Sequence, residues 1–135
     1  MKTALLYQYF LNCNSVCTDT RKITENCIFF ALKGENFDAN TFATTAIEKG
    51  AKYAVIDNPN YEIEGKTILV QDTLVALQKL ANFHRKQLHS KIIALTGSNG
   101  KTTTKELIHA VLSKRHNTIA TIGNLNNHIG VPLTL

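Results

Sequence analysis

The sequence predicts an α/β fold in two units, residues 1–89 and 90–135, each built around parallel strands. Short apolar runs rich in β-branched and aromatic residues (CIFFAL at 27–32, AKYAVID at 51–57, KIIALTG at 91–97) alternate with stretches of helical periodicity. Within those runs apolar residues follow one another directly, the pattern of strands covered on both faces. The composition agrees: 135 residues, 44% hydrophobic and 19% charged, belong to an ordinary globular chain and not to a disordered one.

The opening MKTALLYQYFLNCNS reads as a short amphipathic helix, because Tyr7, Gln8, Tyr9 and Asn12 interrupt it too soon for a signal peptide. Residues 27–32 are a buried strand, followed by Lys33-Gly34-Glu35-Asn36, a loop composition. A helix is expected from Ala39 to Lys49, with Phe42, Ala46 and Ile47 on one face and Gly50 just past its end. Residues 51–57 form a strand closed by the turn Asn58-Pro59-Asn60, and 67–72 form another. Asp72 caps the next helix, where Leu74, Leu77, Leu80, His84 and Leu88 share a face.

His89-Ser90 marks the boundary between the units. Beyond it come a strand at 91–97, a Gly-rich turn, a helix from about 101 to 114 and a strand at 117–121. GNLNNHIGVPLTL then opens an element that the chain does not finish. Two strands and one whole helix are too few to cover both faces of a parallel sheet. The expectation is therefore an N-terminal piece of a longer protein.

Net charge is +5, but Lys and Arg are spread from Lys2 to Arg115 without a basic run, so no nucleic-acid surface is indicated. Cys13, Cys17 and Cys27 are odd in number and lack finger spacing, which points to reduced thiols in a cytoplasmic protein. No apolar stretch approaches membrane-spanning length, so no membrane partner is expected. No pair of histidines has metal-ligand spacing.

The chemistry concentrates in Thr96-Gly97-Ser98-Asn99-Gly100-Lys101-Thr102-Thr103. An apolar run enters a turn with two glycines, and a helix starts at Lys101. Such a turn aims backbone N–H groups at one point in front of the positive end of the helix. Lys101 would reach the β and γ phosphates of ATP, and the Thr102 hydroxyl would be a Mg²⁺ ligand. The usual phosphate loop has its first glycine five residues before the Gly-Lys pair. Here Gly97 precedes Gly100 by three.

That spacing resembles the TG[TS]NGK[TS][TS] loop of the Mur ligases, the ATP-dependent amide ligases that build the peptide of bacterial cell-wall precursors, and of the related folylpolyglutamate synthases. TDTRKITENCIFFALKGENFDANTF, at 18–42, is similar to the uridine-nucleotide-binding domain of the third and fourth ligases of that pathway. Asp19, Thr20 and Arg21 fill its D-[ST]-R, and Gly34, Asp38 and Phe42 its G-x-x-x-D-G/A-x-x-F. TIGNLNNHIGVPLTL, at 121–135, is similar to the segment of the branch that adds D-alanyl-D-alanine to UDP-N-acetylmuramoyl-tripeptide. The branch that adds the third residue carries Thr-Thr-Pro near this point. His128 stands where relatives often have Glu, and no role is given to it.

The resemblance implies a uridine-nucleotide-binding domain at 1–89 and the first βαβ part of a P-loop ATPase domain at 90–135. It implies ATP and Mg²⁺ as cofactors, UDP-N-acetylmuramoyl-tripeptide and D-alanyl-D-alanine as partners, and an acyl-phosphate route. Gly97, Ser98, Asn99, Gly100, Lys101, Thr102 and Thr103 would hold nucleotide, with Lys101 and Thr102 catalytic. Asp19, Thr20, Arg21, Gly34, Asp38, Asn124, Asn126 and Asn127 would bind substrate. The family's metal-binding Glu, carbamylated Lys and C-terminal domain have no counterpart in these 135 residues, so the chain alone is expected to be catalytically inactive. The rival readings are another ligase of the superfamily and a non-catalytic uridine-nucleotide-binding module.

Overall fold

The computed structural model describes every residue of the chain except Asn124. Its centre is a parallel sheet of β1 (Val16–Cys17), β2 (Ile28–Phe30), β5 (Tyr53–Ile56) and β6 (Thr67–Leu69), in the spatial order β1-β2-β5-β6. The register aligns Val16 with Ile28, Phe30 with Val55 and Ile56 with Leu69. A small antiparallel hairpin, β3 (Lys33–Gly34) with β4 (Phe37–Asp38), follows β2.

Successive strand residues face opposite ways, and each side has its own core. Phe29, Ala54 and Ile56 pack beneath α2 (Ala43–Glu48), whose Ala43 and Ala46 are fully buried. Ile28, Phe30, Val55 and Ile68 lie on the other side, under Leu6 of α1 (Thr3–Leu11) and Ala76, Leu77 and Leu80 of α3 (Thr73–Gln87). This is a helix–sheet–helix sandwich, as the unbroken apolar runs predict. Its caps are also as expected: Asp72 accepts a bond of 2.8 Å from Val75 N, and Gly50 turns away at φ 106°. Asn58 heads a single 3₁₀ turn, Pro59–Tyr61.

Several expectations need correction. Lys33-Gly34-Glu35-Asn36 is not a plain loop, because its first two residues pair with Phe37 and Asp38. The helix expected from Ala39 begins as a 3₁₀ turn, Ala39–Phe42, before α2. The larger correction is at 91–97 and 117–121, where no strand forms. Ile92, Ile93 and Leu95 are 53%, 60% and 39% exposed, and Ile119 is 85% exposed. A parallel strand holds only against neighbouring strands and helices on both faces, and among the described residues these runs pair with no strand, although Lys105 and His109 reach the Thr121 and Thr118 carbonyls. α4 (Lys101–Leu112) does form, but with no buried residue.

The last segment is better anchored than the sequence suggests. Asn127 Oδ1 accepts from Gly130 N at 2.7 Å and Ile129 N at 3.2 Å, starting the short helix α5 (Gly130–Thr134). Ile129 and Leu133 pack against the α1/α3 core, and Gln78 Nε2 donates to His128 O at 3.1 Å. Gly130 is required by a close approach. A Cβ there would lie 2.7 Å from Leu125 Cβ and 2.8 Å from its carbonyl carbon. Gly130→Ala should therefore overpack this turn and cost about 1–3 kcal/mol, read as a lower urea midpoint for the chain. An unchanged midpoint would mean that the turn opens freely.

Candidate functional site

In open α/β sheets ligands bind beyond the carboxyl ends of the strands. All five expected substrate residues of the first unit lie at that edge. Asp19, Thr20 and Arg21 follow β1, and Gly34 and Asp38 belong to the hairpin after β2. Arg21 is held in a two-pronged pair with Asp19, Nε to Oδ1 at 3.0 Å and Nη2 to Oδ2 at 2.8 Å. The Arg21 side chain stays 86% exposed, so the fork is oriented yet open on its outer side. Hydrogen bonds from the Arg21 side chain and then its backbone hold the Asp19 carboxyl at about 2, below the usual carboxylate range.

The hairpin is fixed by residues that sequence reasoning passed over. Asn40, fully buried, donates through Nδ2 to Asp38 Oδ1 at 2.6 Å and Asp57 Oδ1 at 2.8 Å. Its Oδ1 accepts from Asp57 N at 3.0 Å. Asp57, at the end of β5, also takes Lys33 Nζ at 2.7 Å and Thr73 N at 3.4 Å. Thr73 Oγ1 donates to Ala31 O at 2.9 Å. The signal for these residues was positional: Lys33 and Asp57 come directly after apolar runs, where a charged residue lands on the ligand-binding edge. Phe37 and Phe42, exposed and stacked with ring centres 5.7 Å apart, stand beside this network.

The second cluster is the glycine turn. Gly97 and Gly100 adopt φ 150° and 77°, which favour glycine, and Gly100 is the residue before α4. No side chain caps α4, and no acidic residue occupies its first turn. The N–H groups of Lys101, Thr102 and Thr103 are the ones an α-helix leaves without internal partners. Nothing lies within 4 Å of the space a Cβ on Gly100 would take. Lys101 Nζ folds back onto Gly97 O and onto Ser98 O at 3.2 Å. Ser98, Asn99, Thr102 and Thr103 are exposed around it. The turn leaves the first helix amides uncapped, and its lysine sits on the loop's own carbonyls.

The expected asparagines divide. Asn127 spends its side-chain oxygen on the first amides of α5. Asn126 is exposed, and Asn124 lies outside the described residues. The structure thus gathers the first-unit residues at one sheet edge and the loop residues at one helix end. Among the described residues no cluster of three or more His, Cys, Asp or Glu could hold a metal. All three cysteines are free, and among the described residues no helix is long and apolar enough to cross a membrane.

The chain is a parallel α/β unit with a charged carboxyl edge, followed by a glycine turn at a helix N-terminus. The comparisons narrow this. Residues 12–85 match the Mur ligase family catalytic domain and residues 95–135 the Mur ligase middle domain, so the chain belongs to the Mur ligase family. It is 48% identical over 126 residues to the UDP-N-acetylmuramoyl-tripeptide–D-alanyl-D-alanine ligase of Buchnera aphidicola, covering 93% of this chain and 27% of that relative. The curated relatives it matches are thus far longer than this chain. Among solved structures it resembles MurF of Acinetobacter baumannii, with TM-score 0.80, 34% identity, and coverage of 99% of this chain and 33% of that one. It also resembles MurF of Thermotoga maritima in complex with ADP, with TM-score 0.77, 29% identity, and coverage of 91% and 29%.

Two titrations check the electrostatics. Burial pushes the Asp57 carboxyl up, but bonds from Lys33 and Asn40 outweigh it and leave the group below its usual value. A lowered folded value adds stability above the unfolded carboxylate value of about 4, and that stability is lost as pH falls through the folded one. Asp57→Asn should therefore flatten the acid limb of the chain's stability profile below about pH 4. A limb as steep as wild type contradicts the network. Arg21→Ala should raise the Asp19 carboxyl from about 2 toward its ordinary value, followed by carbon-13 NMR. No movement contradicts the fork.

Proposed function

We propose that this chain supplies the sugar-nucleotide-binding unit, residues 1–89, and the phosphate-loop start of the ATP-binding unit, residues 90–135, of a ligase. That ligase joins D-alanyl-D-alanine to UDP-N-acetylmuramoyl-tripeptide in the cytoplasm, in cell-wall precursor synthesis. The observation that carries the reading is the Gly97–Thr103 turn: two glycines at positive φ and a lysine directly before uncapped helix amides. The activity of the similar Buchnera ligase and the ADP complex of the Thermotoga structure support the assignment.

ATP would supply the γ-phosphoryl group that activates the tripeptide carboxylate as an acyl phosphate, which the dipeptide amine then displaces. No protein nucleophile is needed for that, and the chain's part is to hold anions together. The backbone N–H groups of Lys101, Thr102 and Thr103 face the phosphates at the positive end of α4. Lys101, whose present acceptors are two neutral carbonyls, takes the charged phosphate oxygens as stronger ones. Thr102 is exposed on the first turn of α4, which suits a Mg²⁺ ligand. Mg²⁺ is commonly held by few protein groups together with substrate phosphates, which suits a loop without an acidic cluster.

At the other edge, the Arg21 fork would face the diphosphate and the hairpin carrying Gly34 and Asp38 would close on the nucleoside. Asp19, Thr20, Asn126 and Asn127 would complete the hydrogen bonds to substrate, with Asn124 in the same segment. In the ligase containing this chain, Lys101→Ala should lower ADP release on both substrates by at least about two orders of magnitude, since charge stabilisation of the transition state is lost. The chain's unfolding midpoint should not move, because the hydrogen bonds of the Lys101 side chain stay within its own loop, on Gly97 O and Ser98 O. Near-normal turnover by that variant would overturn the loop assignment.

A further inference from the structure

Lys101 and Lys105 lie one helical turn apart on α4, on the same side, yet they do different things. The side chain of Lys105 is only 15% exposed. Its ammonium donates to Thr121 O and to Gly123 O at 2.9 Å, and pairs with Glu106 Oε1 at 2.8 Å. An ammonium has three protons to donate, and here three acceptors meet it. None of its donors is left for a phosphate.

The two carbonyls matter for where they sit. Thr121 and Gly123 open the asparagine-rich stretch, whose far end is fastened to α3 by Gln78 and by α5. Lys105 supplies the fastening at the near end, to the helix that begins at the phosphate loop. Charge-assisted bonds to two carbonyls on one short turn fix both position and orientation.

We propose that Lys105 is a positioning residue, which registers the asparagine-rich segment against the phosphate loop so that substrate groups held by one meet the nucleotide held by the other. The proposal rests on the reading of the loop and the segment given above. Its effect is local, because its partners Thr121, Gly123 and Glu106 all lie outside the two sheet cores.

The test uses the 135-residue chain with nitrogen-15 relaxation and ADP as probe. In Lys105→Gln, which keeps the stem and removes the charge, order parameters at Thr121, Ile122, Gly123 and Leu125 should fall from about 0.85 to below about 0.6. Phe29 and Val55 should not change, and Lys105→Arg should restore the rigid values. In wild type ADP should perturb amides of both 98–103 and 121–125, and in Lys105→Gln only the former. Unchanged order parameters overturn the proposal. A loss that spreads to Phe29 and Val55 also overturns it, by making Lys105 a general structural residue. Absence of any ADP response at 98–103 in wild type is a different failure, that of the phosphate-loop reading, and relaxation still decides whether Lys105 clamps the segment.

Discussion

The carboxamide of Asn40 joins the β3–β4 hairpin to the end of β5 at the sheet's carboxyl edge. It lies within the protein with no water to replace a lost partner, and both ends are satisfied: Nδ2 by Asp38 and Asp57, Oδ1 by the Asp57 amide. Leaving a buried polar group unpaired costs about 1–3 kcal/mol, more when it is charged. Asp57 in turn gathers Lys33 from the hairpin and Thr73 from the start of α3. One side chain therefore sets the geometry of the β3–β4 hairpin, the end of β5 and the entry to α3. The acidic pair around Asn40 is tolerated because Lys33 and donated hydrogen bonds offset it. Gly34 and Asp38 are thereby held by more than the two-residue pairing of their own hairpin.

The first unit was largely legible in the sequence because its strands are buried on both faces. CIFFAL and YAVI carry enough consecutive apolar residues to show themselves, and Asp72 and Gly50 mark helix ends by capping chemistry. β1, β3 and β4 could not be read, because two residues are too few to display any period. The Asn40–Asp57 network was invisible for another reason. Its members stand 17 positions apart, and only the parallel crossover brings them together. The substrate residues expected at Asp19 and Asp38 were legible as motif positions, while the residues that orient Asp38 were not.

In the second unit local signals and long-range demands separate. The glycine turn and α4 form where the sequence places them, because both depend on nearby residues: glycine φ freedom and helix propensity. The strand runs at 91–97 and 117–121 do not form, because pairing is a non-local demand. Their exposed isoleucines show that hydrophobicity alone does not make a strand. The asparagine-rich segment reverses this contrast. It read as the opening of an unfinished element, yet Gly130, Asn127, Gln78 and Lys105 tie it to α3 on one side and α4 on the other. The two units thus meet through the Gln78–His128 bond and through Ile129 and Leu133, which pack on the α1/α3 core.

The central claim is that the turn at Gly97–Thr103 receives nucleotide phosphate. The most direct measurement is a crystal structure of the chain with ADP and Mg²⁺. The account predicts β-phosphate oxygens within hydrogen-bond distance of the Lys101, Thr102 and Thr103 amides, with Lys101 Nζ moved off the Gly97 and Ser98 carbonyls onto them. Phosphate bound elsewhere, with Lys101 still on its own loop, would contradict it.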